Sequence, residues 1–405
     1  MTKKNQHISN MRISKLLLAM AAAVMMLPSC NTAPTREQRT DEALKAVMEE
    51  FKTVGLAVAV VKDGEFIYNK SFGYKDLENQ IPLQNGDVVR IASTSKSFVA
   101  TGIMQLVEKG LLSLDDDVSD LIGFKVRNPH YPDTPITLKM ILSHTASIND
   151  NGENYFTLDH INPAVNGDCA DAYFTYGPGE DYNYSNLGMN LAGTILEKIS
   201  GVRFDNYIRE NIIKPLGLYG GHNVDSLDAS RFALIYHLDE NGEYAVSDGP
   251  YRSRADEMPN YILGYSAPIF SPTGGVKMSV EDLAKYVMMH INRGELNGVR
   301  IISEESSKTM QTPVPFTKGD AINNYCLGLG QFPYQTDEPK YNVPGNYLIG
   351  HSAGSYGLSG IMLWSPSDKW GMVAMANGLT NIPGKSFLQT IATAVYHACV
   401  EEELK

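Results

Sequence analysis

The two ends of the chain carry the same pattern, an amphipathic helix beside two short apolar strands closed by a tight turn. Near the start, Leu44, Val47, Met48 and Phe51 recur at helical spacing. A strand over 56–61 follows, then Asp63-Gly64, then a return strand over 65–68; Asp-Gly between apolar runs marks a hairpin. Towards the other end, residues 360–364 and 371–375 read as strands around the turn Ser365-Pro366-Ser367-Asp368. A last helix, from about Pro383, puts Phe387, Leu388, Ile391, Val395 and Cys399 on one face. The middle is richer in helices and long loops. Phe98, Ile103, Leu106 and Val107 line a helix within 95–110, another runs over 187–200 and stops at Gly201, and Asn241-Gly242 marks a hairpin between 232–238 and 244–246. Ends that share a sheet around a helical insertion predict an α+β fold: an antiparallel sheet flanked by helices, with an embedded, mostly helical domain. The sheet domain is expected over about 40–110 and 270–405, and the helical domain over about 111–269.

The chain has 405 residues, enough for one large domain or two intimate ones. Its formal net charge of −12 repels phosphate backbones, so nucleic acid is set aside as a partner. At the N-terminus, Lys3, Lys4, Arg12 and Lys15 precede an apolar run over 16–27 that ends in Leu27-Pro28-Ser29-Cys30. Residues 1–30 read as a secretion signal, with an apolar core short for a transmembrane span. The ending resembles a bacterial lipoprotein signal, which implies that Cys30 is acylated and becomes the mature N-terminus; Met11 is an alternative start. The competing reading is an ordinary cleaved signal with a chance cysteine. Residues 31–39 are expected as a polar linker, which makes the protein a lipid-anchored component of the bacterial cell envelope. No acidic run follows Cys30, which favours the periplasmic side. Cys169, Cys326 and Cys399 form no CxxC pair, no disulfide framework and no zinc site; a Cys169–Cys326 bridge stays open beside the reading as small buried hydrophobes. No cluster has metal-ligand spacing, so neither metal nor cofactor is expected.

Three short segments carry chemistry. In Ser93-Thr94-Ser95-Lys96 the serine opens a helix, and Lys96 lies one turn further on the same face. A serine hydroxyl needs a base to become a nucleophile, and a lysine is that base only when burial or a positive dipole lowers its pKa. Taken alone the pair is weak, since roughly one or two Ser-x-x-Lys matches arise by chance in such a chain. A capping serine with a surface lysine is the plain alternative. Tyr184-Ser185-Asn186 follows the turn Pro178-Gly179-Glu180 and precedes a helix. A tyrosine near an ammonium can relay a proton, and Asn186 can both donate to and accept from a substrate amide. With 22 tyrosines in the chain, a core tyrosine and a helix cap at Ser185 or Asn186 explain that segment better when it is taken alone. His351-Ser352-Ala353-Gly354 enters a strand, whose edge can offer a backbone N–H to an oxyanion together with the N–H of Ser93.

Taken together and in this order, the three segments resemble the penicillin-recognising serine enzymes, and the chain closely resembles their class C β-lactamase-like branch. Residues 136–145 look like the family's T-x-x-x-L-L-x-H-T helix, Pro178-Gly179 onwards its PG-x-x-x-x-YSN segment, and Pro272-Thr273-Gly274-Gly275 its P-x-GG loop. The resemblance runs from about Ala43 to His397 and implies a β-lactamase/transpeptidase-like fold. It implies that Ser93 is the acylated nucleophile, Lys96 its proton partner and Tyr184 the acid/base. Asn186, His351, Ser352 and Gly354 are then substrate-binding, with the Gly354 N–H as second oxyanion donor and His144 structural. The partner implied is a small-molecule or peptide substrate. This chain departs from the pattern at His351, where true class C β-lactamases carry lysine, and at Ala353, where glycine is usual. A neutral histidine anchors a β-lactam carboxylate poorly. The resemblance associates histidine there with carboxypeptidases, D-aminopeptidases and esterases, so amide, peptide or ester hydrolysis ranks above efficient antibiotic hydrolysis. Substrate choice is expected in the loops 148–176 and 248–270.

A competing motif overlaps the third segment. Gly350-His351-Ser352-Ala353-Gly354 also matches G-x-S-x-G, with Asp368 and His397 following in the required order. That elbow needs a helix directly after it, whereas residues 357–360 lead into a strand. A rival of another class is a penicillin or peptidoglycan sensor, or an inactive scaffold, with little turnover.

Overall fold

The structure is a computed structural model describing residues 33–152, 156–318, 324–336 and 339–405. The expected signal, Cys30, and residues 31 and 32 of the expected linker lie outside the described residues. Helix α1 (Arg36–Phe51) begins inside the stretch expected as linker. Thr35 and Gln38 form a capping box, each side chain accepting from the other's backbone N–H, so the folded body starts before residue 40. Strands β1 (Gly55–Lys62) and β2 (Glu65–Asp76) meet at Asp63-Gly64, both residues in the left-handed region that a two-residue hairpin turn requires. β2 outruns the expected 65–68 because its second half is polar and only partly buried, yet it pairs with β1 as far as Gly55 opposite Gly73.

After the short β3 (Ile81–Pro82) come α2 (Lys96–Glu108), α3 (Leu138–Leu142), α4 (Asn186–Ser200) and α5 (Val280–Ile291). The chain then returns through β4 (Asn324–Tyr325), β5 (Gly330–Pro333), β6 (Tyr347–Ser355), β7 (Leu358–Ser365), β8 (Trp370–Asn377) and α6 (Phe387–Val395). The eight strands form one antiparallel sheet in the order β4-β5-β6-β7-β8-β1-β2-β3. The two ends of the chain are therefore joined at β1 and β8, in register from Gly55 opposite Asn377 to Lys62 opposite Trp370. The Asn241-Gly242 hairpin forms as expected, pairing Tyr236–Leu238 with Tyr244–Val246.

Successive strand residues point to opposite faces, and this splits the core in two. Leu56, Val58 and Val60 pack with Leu44, Phe51, Ile391 and Val395 beneath α1 and α6. Ala57, Ala59 and Val61 pack with Leu283, Val287 and the helical region on the other side. Each fully buried Leu, Val, Ile or Phe contributes roughly 1.5–3 kcal/mol, so both faces are strongly specified. α6 starts at Phe387, later than Pro383, because Ser386 supplies the cap to Gln389. Cys169, Cys326 and Cys399 are free and buried; the Cys169–Cys326 bridge left open by the sequence does not form.

Gly350, directly before His351 on β6, holds the sheet to this geometry. A Cβ there would lie 1.9 Å from the Met362 carbonyl oxygen of β7, a backbone atom that cannot turn aside. Gly350→Ala is expected to cost about 2–3 kcal/mol, read as a lowered urea midpoint. An unchanged midpoint would contradict this account of the β6–β7 contact.

Candidate active site

Ser93 sits in a tight turn, Ala92–Ser95, that feeds α2. The strand before it, Val89–Arg90, pairs with Lys277–Met278, and the Ile91 N–H donates to the Val276 carbonyl. Ala92 then adopts φ +46°, in the left-handed region that a residue with a Cβ rarely enters, and this turns the chain sharply. α2 lies close against α4 at Gly102, where a Cβ would stand 3.0 Å from the Leu196 side chain. The N-termini of α2 and α4 thus converge, bringing Lys96, the first residue of α2, to Asn186, the first of α4.

Lys96 is wholly buried. Its Nζ lies 3.1 Å from Ser93 Oγ, 2.9 Å from Asn186 Oδ1 and 2.8 Å from the Thr273 carbonyl oxygen. The last two are carbonyl oxygens, which only accept, so each takes an N–H from the lysine. Burial pushes the Lys96 pKa well below the ordinary lysine range; the Arg90 charge adds to this and the Asp150 carboxylate opposes it. The positive ends of two helices act in the same direction as burial. A neutral amine has two N–H bonds and one lone pair. With both N–H bonds committed to carbonyls, the lone pair is left to face the Ser93 hydroxyl, which is the arrangement of a general base.

Asp150, which the sequence reading did not single out, fixes this orientation. Its carboxylate accepts from the Asn186 N–H (2.7 Å), the Leu187 N–H (3.1 Å), Asn186 Nδ2 (2.9 Å) and Ser185 Oγ (2.8 Å). A carboxylate at the start of α4 satisfies N–H groups that have no partner within the helix. By holding Nδ2 of Asn186 it also forces Oδ1 towards Lys96. Asn186 is therefore not the free substrate-amide contact expected: its nitrogen is spent on Asp150, and its oxygen on Lys96 and the Thr273 hydroxyl. The P-x-GG loop supplies Thr273, while Pro272 sits against Gly193 of α4, where a Cβ would meet the ring at 2.5 Å.

Tyr184 reaches the same point. Lys96 Nζ is 4.7 Å from its ring centroid; burial raises the phenol's pKa, and hydrogen bonding with Ser93 tempers the rise. The phenol is therefore a proton donor at neutral pH. His144 is buried behind it with ring centroids 4.5 Å apart, and its Nδ1 accepts from the Ser185 N–H, so it positions the Tyr184–Asn186 turn. His351 is also buried. The Ser352 carbonyl, 2.6 Å from Nδ1, only accepts, so Nδ1 carries the hydrogen and Nε2 accepts from the Tyr325 hydroxyl at 2.8 Å. Burial, with the Lys340 charge adding to it and the hydrogen bond to the Ser352 carbonyl opposing it, holds its pKa down to about 3. The imidazole is neutral and both its nitrogens are occupied, so it has no N–H free for a substrate.

Ser93, Tyr184, His351, Ser352 and Gly354 line one cavity of about 550 Å³. β5 pairs β6 only as far as Gly350, leaving residues 351–355 as a strand edge beside the Ser93 turn. Among the described residues nothing lies within 4 Å of where a Gly354 Cβ would be, which leaves the strand there open to a ligand. Tyr182, Tyr325, Phe332, Lys340 and Leu388 add to the wall, and none of the described residues of the loops 148–176 and 248–270 lines it. The competing G-x-S-x-G reading fails on geometry. Ser352 lies inside β6, which runs into β7 with no helix; Asp368 accepts from Ser365, and His397 pairs with Glu401.

Removing the carboxylate that sets this geometry tests it. Asp150→Ala strands the N–H groups of Asn186 and Leu187, for an expected loss of about 2–4 kcal/mol in urea unfolding. It also removes a charge that raises the Lys96 pKa, so the low-pH limb of fluorophosphonate labelling at Ser93 is expected to move to lower pH. A limb that moves up, or stays in place, would contradict the electrostatic part.

The family model described as Beta-lactamase matches residues 40–394. Protein flp of Staphylococcus aureus (strain N315) is 24% identical over 349 residues, covering 84% of this chain and 63% of flp. A penicillin-binding protein of Bacillus subtilis (strain 168) is 33% identical over 319 residues, covering 76% of this chain and 64% of that protein. The chain thus spans just under two thirds of the length of these relatives. Among solved structures, the octameric penicillin-binding protein homologue from Pyrococcus abyssi is 29% identical with a TM-score of 0.69, over 90% of this chain and 77% of that one. A class C beta-lactamase, 18% identical with a TM-score of 0.67, covers 91% of this chain and 97% of its own, and shares the fold. With the family model matched over nearly all of the described sheet and helical regions, this chain belongs to the Beta-lactamase family.

Proposed function

We propose that the protein is a serine hydrolase that forms an acyl-enzyme on Ser93 from an amide or ester. The observation that carries this reading is the Lys96 amine, buried and bonded to two carbonyl oxygens, with Ser93 Oγ at 3.1 Å as its third partner. Ser93 Oγ adds to the substrate carbonyl carbon while Lys96 takes its proton. The Ser93 and Gly354 N–H groups hold the oxyanion. Tyr184 gives its proton to the leaving amine or alcohol as the bond breaks, and the resulting phenolate recovers a proton from the Lys96 ammonium. Water then adds to the acyl-enzyme, losing its proton to the same pair, and Ser93 departs reprotonated. The neutral, saturated His351 favours peptide, amide or ester donors over efficient β-lactam hydrolysis.

Ser93→Ala is expected to abolish labelling by a fluorophosphonate probe, and Ser352→Ala to leave it largely intact. The reverse result would overturn the assignment. In the unaltered chain, labelling should rise with pH through a midpoint below the ordinary lysine pKa of roughly 10.4, since only the neutral amine accepts the proton. A labelled protein that turns over neither p-nitrophenyl acetate nor a D-amino-acid amide would be a sensor, not a hydrolase.

We further propose that acylation of Cys30 anchors the protein in the bacterial envelope, facing the periplasm, as the Leu-Pro-Ser-Cys ending supports. Cys30→Ser should shift the protein from the detergent phase to the aqueous phase in phase separation. Retention in the detergent phase would refute the anchor.

A further inference from the structure

The cavity beside Ser93 has one lysine among its described lining residues, Lys340, whose pKa burial lowers from the ordinary lysine range. It lies on the segment that follows β5, and nothing in the three chemical motifs points to it. Its Nζ stands 4.7 Å from the Phe332 ring centroid and 5.9 Å from that of Tyr341. Those rings meet edge to face at 5.1 Å, forming a fixed apolar corner. The corner is anchored below: Tyr341 is buried in the core under α6, and Gln389 of that helix donates to the Pro339 carbonyl. A ring face attracts an ammonium without taking its hydrogen-bond donors. Among the described residues no carboxylate and no hydrogen bond engages Lys340, so its three N–H donors remain unspent in a position that packing sets.

The other positive or potentially positive groups nearby are committed. Lys96 gives its two N–H bonds to Asn186 and Thr273, and His351 gives its one to Ser352. We propose that Lys340, held on the Phe332–Tyr341 corner, is the residue that receives a carboxylate of the substrate, so that the preferred acyl donors carry an acidic group. This deepens the serine-hydrolase reading and rests on it for the word substrate, but the recognition itself is a binding property that Ser93 chemistry does not enter. Lys340 is a specificity determinant here, at the rim of the cavity.

The test is binding to a Ser93→Ala chain, which cannot be acylated, measured by calorimetry for N-acetyl-D-alanine and its uncharged amide. The carboxylate is expected to bind about tenfold tighter than the amide at low salt, as for one charge-assisted contact at a partly open site. Adding Lys340→Met, which keeps a long stem over the rings, should bring the two ligands within about twofold, and Lys340→Arg should keep the preference. Equal affinities in the parent, no binding of either ligand, or a preference that survives Lys340→Met would each overturn the proposal. Failure of the Ser93 labelling test alongside an intact carboxylate preference would sink the hydrolase and leave the Lys340 site standing.

Discussion

The structure turns on a buried amine whose two hydrogens are already spoken for. Asn186 Oδ1 and the Thr273 carbonyl are both acceptors, and together they determine what Lys96 offers the third atom in reach, Ser93 Oγ. A lysine at the surface would be an ammonium and would only donate to that serine. Burial reverses the preference, because desolvating the charged form costs more than any single neighbour returns. The sheet, the two converging helices and the loop after residue 270 bring these four groups to one point.

A second division of labour runs across the cavity. The interior is kept free of spare charge: His351 is neutral and locked between Ser352 and Tyr325, while Asp150 is consumed by the start of α4. Charge available to a ligand sits instead at the rim, on an aromatic support. An inward lysine at position 351 would place a cation near Lys96 and further oppose its protonation, whereas a rim cation can meet an anion with less effect on the base.

What the sequence reveals follows the range of the interactions involved. Ser93 and Lys96 are legible because one helical turn sets their relation, and the two ends of α4, at Ser185 and Gly201, are legible because caps are local. The shared sheet at the chain ends is legible from Asp63-Gly64 and its counterpart at 365–368. Asp150 is not, because a carboxylate in an irregular loop looks like any other until the fold sets it against α4. The cavity wall from Tyr325 to Lys340 is hidden for a related reason: β4 and β5 are too short to show a two-residue period. Asn186 is legible as a site residue but not in its direction, since an amide can face substrate or lysine, and only the position of Asp150 decides.

The most direct measurement is of the Lys96 proton itself. In protein carrying nitrogen-15 lysine, the Lys96 Nζ resonance, identified by its loss in Lys96→Met, reports the amine or the ammonium. The account predicts a neutral-amine shift at about pH 8, while surface lysines remain ammonium to their usual midpoint of roughly 10.4. An ammonium at Lys96 that titrates together with the surface lysines would contradict it.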